Sequence, residues 1–138
     1  MGSLAALVTG SRVRAQGPEG SIAVRTLNHV TLRVSNVGRS VKFYQDLFGL
    51  PIVNRQANSV GLGVGSSHIG VGQVPVGEQP QINHFCLGVE RFDTDQAIKA
   101  LGAHGVKGSV RMRGEFRELY FMDSDNICVQ LQDMGYRG

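Results

Sequence analysis

The sequence predicts an α+β fold in which two βαβββ modules, each a curved mixed sheet with a helix on its outer face, enclose a cavity. The first observation is a repeat: LNHVTLRV at residues 27–34 returns as INHFCLGV at residues 82–89, 55 residues later. The second is that apolar residues alternate with other residues in both copies, as on a strand with one buried face. The third is that each copy precedes a helical pattern and then short extended segments. Two copies indicate a duplicated module rather than a solenoid.

The first module continues with a helix. Asn36 is a plausible N-cap, and Gly49 and Pro51 end the helix. Apolar residues recur between these points at helical spacing, at Val41, Tyr44, Leu47 and Phe48. Three extended segments follow, at residues 52–56, 60–64 and 68–74, separated by turn residues. The first module is therefore predicted at residues 25–78.

The second module follows a linker, VPVGEQP at residues 74–80, and is predicted at residues 80–133. After its first strand, Asp93 or Thr94 caps a helix that His104 and Gly105 close. The apolar residues of this helix are Ala97, Ile98 and Leu101. Strands are predicted at residues 106–112, 115–121 and 127–132. We expect the two modules to form one domain.

Residues 1–22 are excluded from the predicted fold. A short apolar run at residues 4–8 precedes Val13-Arg14-Ala15, which has the small residues of a signal-peptidase site. The segment is interpreted as a flexible tag or as the remnant of a signal peptide. The protein is accordingly expected to be cytoplasmic, or exported if the second interpretation holds.

Composition excludes several classes of protein. The formal net charge of 138 residues is +3, and the basic residues are scattered, which does not indicate a nucleic-acid binder. No apolar run approaches the length of a membrane span. Cys86 and Cys128 are too few for a disulfide framework. These features leave a globular protein.

The repeat places one histidine at the same position in each copy. His29 and His84 lie on the strand face opposite the apolar residues, so each points away from the helix that covers its module. Two modules related by a pseudo-twofold axis would bring both imidazoles into one hollow. The pair is therefore a candidate metal site.

The opening of the first module resembles that of a known protein superfamily. The stretch LNHVTLRVSNVGRSVKFYQDLFGLPIV is similar to the opening of the vicinal oxygen chelate superfamily, which includes glyoxalase I, extradiol dioxygenases, fosfomycin resistance proteins and bleomycin resistance proteins. The resemblance covers residues 25–133. It implies the glyoxalase/dioxygenase-like fold and, in catalytic members, a divalent metal in the cavity.

The resemblance also implies candidate ligands. The first strands offer His29 and His84, the last strand of the second module offers Gln130, and the matching place in the first module is Gly70. His68 could substitute as a ligand. The implied ion is Fe, Ni, Zn or Mn, and the substrate pocket would include Thr31, Arg33, His68, Gly70 and Cys86.

Catalytic groups follow from a second likeness. Leu119-Tyr120-Phe121-Met122-Asp123 resembles the extradiol signature, although Ser124, Asn126 and Gln130 replace its proline, glycine and glutamate. Tyr120 or Glu118 would handle protons.

Two functions remain open. One is a metal-dependent enzyme of the lyase or dioxygenase type, acting on a small oxygenated substrate. The other is a metal-free protein that sequesters a small molecule, as in bleomycin resistance. A homodimer is expected in either case. The last strand of the second module is expected to run parallel to its first strand, with His84 level with Gln130 and the two cysteines beyond disulfide reach.

Overall fold

The computed structural model describes residues 22–138. The predictions for the N-terminal segment therefore lie, apart from Ile22, outside the described residues. The elements are β1 (Val24–Val34), α1 (Val37–Phe48), β2 (Ile52–Gln56), β3 (Ser59–Val64), β4 (Ser67–Gln73), β5 (Gln81–Val89), α2 (Thr94–Ala103), β6 (Ser109–Arg113), β7 (Phe116–Met122) and β8 (Cys128–Asp133). The order βαβββ occurs twice, as the repeat predicted.

The strands form one eight-stranded mixed sheet in the order β2-β3-β4-β1-β5-β8-β7-β6. Strands β1 and β5, the two copies of the repeat, pair antiparallel at its centre. Each is flanked by the last strand of its own half, and both of these pairs are parallel. The sheet curls into a half-barrel, and its two edges approach each other where Arg113 of β6 donates from Nη1 to Gln56 Oε1 of β2 at 2.5 Å. The α+β fold of two βαβββ modules around a cavity is confirmed.

Each helix covers the outer face of its own half. Under α1 the core consists of Val41, Val60, Leu62 and Val71. Under α2 the core consists of Val89, Ala97, Leu101, Leu119 and Leu131. The apolar side chains of the sheet thus pack against the helices on its outer face, and polar side chains occupy its inner face.

The ends of both helices follow their capping residues. The Asn36 side chain accepts a hydrogen bond from the Arg39 backbone N–H, and Gly49 ends α1 with a φ of 65°. Asp93 caps α2 in the same way, through the backbone N–H of Gln96. The apolar stripe of α1 is buried only in its first turns, because Leu47 and Phe48 extend past the sheet and stay exposed.

Strand β6 begins three residues later than predicted. The backbone N–H of Val106 still bonds to the Leu101 carbonyl, in the turn that closes α2. Within residues 22–138 no helix is long and apolar enough to cross a membrane.

The register between β5 and β8 differs from the prediction. The two strands are parallel as expected, but Cys86 rather than His84 lies opposite Gln130. A shift of two residues leaves every side chain on the same face, so alternation in the sequence cannot distinguish the two registers. Gln130 consequently still faces the cavity. Both cysteines are free thiols.

Candidate functional site

The inner face of the half-barrel surrounds a cavity of about 80 Å³. Both halves of the chain contribute to its wall. The polar and charged residues that line it are His29, Thr31, Arg33, Asn54, Gln56, Ser59, His68, His84, Arg111, Arg113, Glu118, Tyr120, Gln130 and Tyr136. The predicted residues His29, His84 and Gln130 come together at its centre.

His29 is held in one orientation by its neighbour in the chain. Asn28 is buried and donates from Nδ2 to the backbone carbonyls of Met134 and Tyr136, at 3.2 and 3.0 Å. These two bonds fix the amide, so its Oδ1 accepts from Nδ1 of His29 at 2.8 Å. The proton of the imidazole is therefore on Nδ1, and Nε2 presents a lone pair to the cavity.

His84 has an equivalent arrangement. Its Nδ1 lies 2.8 Å from Oδ1 of Asn83, the repeat partner of Asn28. Its Nε2 lies 3.4 Å from Nε2 of His29 and 3.1 Å from Oε1 of Gln130. The Thr31 hydroxyl, at 3.2 Å, can donate to this nitrogen. The outer nitrogens of both histidines thus serve to hold the rings, and the inner nitrogens face each other.

The three inner atoms fit a shared cation. In the tautomers that Asn28 and Asn83 favour, both Nε2 atoms and the Gln130 oxygen are acceptors with no proton between them. The Gln130 amide nitrogen, on the other side, is buried without a hydrogen-bond partner. Two ligands about 2.1 Å from one ion, about 90–110° apart, lie about 3.0–3.4 Å from each other. The observed 3.1 and 3.4 Å fall in that range.

The histidines are kept neutral, as metal ligands require. Burial lowers the pKa of His29 to about 3, assisted by the neighbouring His68 and His84. Burial also lowers the pKa of His84 to about 4, against the opposing effect of the Gln130 hydrogen bond. At neutral pH both lone pairs are available.

The lowered pKa values predict that the ion-free protein loses stability in acid. Unfolded histidine takes up a proton near its ordinary pKa of 6.5, whereas folded His29 and His84 do not until about pH 3 and 4. The two neutral histidines therefore contribute to the free energy of unfolding above pH 6.5. This contribution is lost as the pH falls toward 4, by roughly 2–5 kcal/mol in all. Urea unfolding between pH 7.5 and 4.5 measures it. The double variant His29→Gln, His84→Gln should show a flatter dependence, and an unchanged slope would contradict the assignment.

Glu118 is the carboxylate side chain of the cavity wall, and it is 1% exposed. It accepts hydrogen bonds from Arg113 Nε at 2.7 Å, from the Tyr120 hydroxyl at 2.9 Å and from the Tyr136 hydroxyl. Burial, together with Glu118, raises the pKa of both tyrosines well above the usual value, so both remain protonated donors. Glu118 therefore orients two hydroxyl groups toward the site.

The remaining predicted residues divide into two groups. Thr31, Arg33, His68 and Gly70 line the cavity as expected. Cys86 does not, which corrects its prediction as a pocket residue: it is completely buried, and burial raises the pKa of its thiol to about 12. Its place opposite Gln130 in the sheet, level with His29 across β1, leaves its side chain under the polar layer.

His68 lies beside the site without joining the three converging atoms. Its ring stacks on that of His29, with centroids 4.7 Å apart, and its Nδ1 has no hydrogen-bond partner. In the described part of the chain, no three His, Cys, Asp or Glu side chains are arranged to hold an ion. The third donor atom near the two imidazoles is the amide oxygen of Gln130, 3.1 Å from Nε2 of His84.

Sequence reasoning missed three residues of the site. Asn28 was visible as a repeated Asn-His pair with Asn83, but its role depends on backbone carbonyls 106 and 108 residues away. Tyr136 lies beyond the last predicted strand, in a segment without periodicity. Arg113 reaches Glu118 only because β6 and β7 pair in the observed register.

Comparison with known proteins agrees with this geometry. Residues 26–131 match the profile of the Glyoxalase/Bleomycin resistance protein/Dioxygenase superfamily. The chain belongs to this superfamily. The sequence resemblance to the vicinal oxygen chelate group is thereby confirmed.

The individual relatives are distant from this chain in sequence. Glutathione transferase FosA from Serratia marcescens is 26% identical over 113 residues, which are 78% of this chain and 80% of that protein. Methylmalonyl-CoA epimerase from Mycobacterium tuberculosis superposes with a TM-score of 0.69 at 19% identity, covering 82% of this chain and 90% of its own. Homoprotocatechuate 2,3-dioxygenase from Brevibacterium fuscum (E323L variant) superposes with a TM-score of 0.68 at 18% identity. The match covers 83% of this chain and 33% of that protein. The structural likenesses support the shared fold.

Proposed function

We propose that the protein is a divalent-metal-dependent enzyme of this superfamily, of the lyase or dioxygenase type, acting on a small oxygenated substrate. The observation that carries the proposal is the convergence of three atoms: Nε2 of His84 lies 3.4 Å from Nε2 of His29 and 3.1 Å from Oε1 of Gln130. Acceptors so close repel each other unless a cation or a donor lies among them. In the ion-free protein a half-turn of the Gln130 amide would supply a donor.

The proposed ligands are His29, His84 and Gln130, and the ion is one of Fe, Ni, Zn or Mn. Imidazole nitrogens suit these metals, whereas magnesium and calcium prefer a full set of oxygens. When bound, the ion would hold two neighbouring oxygens of the substrate and polarise them as a Lewis acid. The open side of the cavity leaves room for those oxygens.

The proton chemistry is assigned to Tyr120, with Glu118 behind it. The Tyr120 ring contacts His84 edge-on, with centroids 5.4 Å apart, and its hydroxyl bonds to Glu118 in the wall of the same cavity. The two oxygens of Glu118 are already occupied by three donors, which makes direct contact with substrate unfavourable. Tyr120 would therefore donate the proton, and Glu118 would position its hydroxyl and balance the charge.

A metal-free binding protein of the bleomycin-resistance type is the second candidate. It is favoured by the neutral ligand set, and by a cavity wall in which three arginine side chains face one glutamate side chain. A wall with a formal side-chain charge of +2 weakens the hold on a dication. The same wall would attract an anionic small molecule without any ion.

Metal analysis separates the two candidates. Protein purified with iron, nickel, zinc or manganese supplied in turn, then dialysed, is expected to retain one equivalent of at least one of them. Retention of none of the four would overturn the enzyme proposal in favour of the second candidate.

The asparagines that orient the histidines should tune metal affinity. Asn28→Ala is expected to weaken binding by about 10–100-fold, because outer partners fix both the orientation and the tautomer of a ligating histidine. Asn83→Ala should have a smaller effect, since Asn83 is exposed and water can replace its oxygen. Isothermal titration with the retained metal measures both. Equal affinities for wild type and Asn28→Ala, with folding verified by circular dichroism, would contradict the orienting role.

A homodimer is proposed for the assembly. Exposed Phe43, Leu47 and Phe48 form an apolar surface on the outer side of α1. Such a surface is commonly covered by a partner. Sedimentation velocity of wild type and of Leu47→Gln tests this proposal, which predicts a dimer that the variant weakens.

A further inference from the structure

The central cavity holds only a small group of atoms. Its volume of about 80 Å³ gives room for an ion and a few water-sized groups. A substrate larger than its two chelating oxygens and the atoms next to them must therefore extend out of this cavity along the inner face.

A wider groove of about 610 Å³ lies directly beside the cavity. Arg111 and Tyr120 line both spaces, which therefore adjoin at these two side chains. The arginine side chain lies over the Tyr120 ring, with Cζ 5.1 Å from the centroid. The two spaces form one continuous surface with Arg111 at the junction.

The groove has a mixed lining that includes exposed apolar side chains, which the cavity wall lacks. Ile82, Met122 and Ile127 line it and are 68%, 54% and 52% exposed. Ile82 precedes His84 by two residues on β5, and Met122 follows Tyr120 by two on β7, so both share the inner face with the site. Three large exposed apolar side chains in a space that adjoins a polar site indicate that an apolar group of a ligand covers them.

The charges at the junction favour an anionic head group. Neither Arg33 nor Arg111 has a carboxylate partner within residues 22–138, whereas Arg113 is paired with Glu118. Two unpaired guanidinium groups beside the ligand triad stabilise negative charge on the chelating oxygens. The cavity therefore favours a negatively charged end of the ligand, and the groove favours an apolar end.

We propose that the substrate is an amphiphilic anion, whose oxygen-bearing head occupies the His29–His84 cavity and whose apolar body lies in the groove of Ile82, Met122 and Ile127. This proposal rests on the proposed function, since the head is held by the ion. It adds an apolar subsite that the chelating residues do not require.

Alkyl hydroxamates test the proposal because they chelate a divalent ion through two neighbouring oxygens as monoanions. Acetohydroxamate has a head and almost no body, and octanohydroxamate adds six methylene groups. Titrated into protein loaded with the metal that it retains, octanohydroxamate is expected to bind at least about thirtyfold more tightly, as each well-buried methylene contributes a few-fold. The double variant Ile82→Gln, Ile127→Gln should reduce this ratio to about threefold and leave acetohydroxamate affinity unchanged. Val76→Gln, at a fully exposed apolar residue of the linker that lines neither space, should keep the full ratio.

The outcomes separate the two proposals. If acetohydroxamate binds and octanohydroxamate binds no more tightly, the apolar subsite is overturned and the metal site stands. If the metal-loaded protein binds neither compound, the ion is not open to substrate and the proposed function fails. If the double variant changes the sedimentation coefficient and not the affinity ratio, the groove belongs to an interface with a second copy and the proposal is wrong.

Discussion

Replacing both His29 and His84 with alanine is expected to reduce affinity for the retained divalent ion by at least about a thousandfold. A site with a few protein ligands derives its binding free energy of roughly 10–16 kcal/mol from those ligands together, so two of three carry most of it. Gln130 alone, as a neutral oxygen donor, cannot hold the ion. Competition titration against a chelator measures the change.

The matched control is His68→Ala. His68 is also buried, also lines the cavity and stacks on His29, but it does not point a nitrogen at the shared centre of the other two. Its replacement should change affinity by no more than about fivefold, an indirect effect on the packing of His29. If His68→Ala alone removed the ion, the ligand set would include His68 and the assignment of Gln130 would be wrong.

Glu118→Ala is expected to cost about 3–5 kcal/mol of unfolding free energy, the largest stability effect that we predict for a single polar residue. The carboxylate is almost completely buried and satisfies Arg113, Tyr120 and Tyr136 at once. Removing it leaves a guanidinium and two hydroxyl groups without their acceptor in a site that excludes most water. Urea unfolding at pH 7.5 provides the measurement.

Two further variants isolate the cause. Glu118→Gln keeps an acceptor for part of the network and should lose less than Glu118→Ala. Glu90→Gln removes a carboxylate whose partner, Arg25, is 58% exposed, and such pairs contribute about 0.5 kcal/mol or less. Equal losses at Glu118 and Glu90 would show that the buried network does not stabilise the fold.

The sequence predicted the fold because its signals are local or repeated. Alternation, the caps at Asn36 and Asp93, and Gly49 each act within a few residues, and the repeat then fixes how the two halves correspond. Asn126 illustrates the tolerance of such signals: it adopts a φ of 61°, in the left-handed region, where the superfamily resemblance places glycine. Asparagine enters this region more easily than other side chains, so the turn before β8 survives the substitution.

The site was predicted only in part, because its remaining features depend on register and on distant backbone. Alternation placed His29, His84 and Gln130 on one face, but it could not separate registers that differ by two residues, which is how His84 was wrongly placed level with Gln130. Alternation also placed Cys86 on this face, but it could not show that the thiol is completely buried there. The contribution of Tyr136 depends on Asn28 holding two carbonyl groups near the end of the described chain, and no local pattern encodes that contact.

The central claim is that His29 and His84 bind one ion together. Anomalous diffraction from a crystal grown with the retained metal, recorded at its absorption edge, tests this claim most directly. We predict one strong peak within about 2.0–2.3 Å of Nε2 of His29, Nε2 of His84 and Oε1 of Gln130. A cavity without a peak, or a peak only at a surface histidine such as His104, would contradict the account.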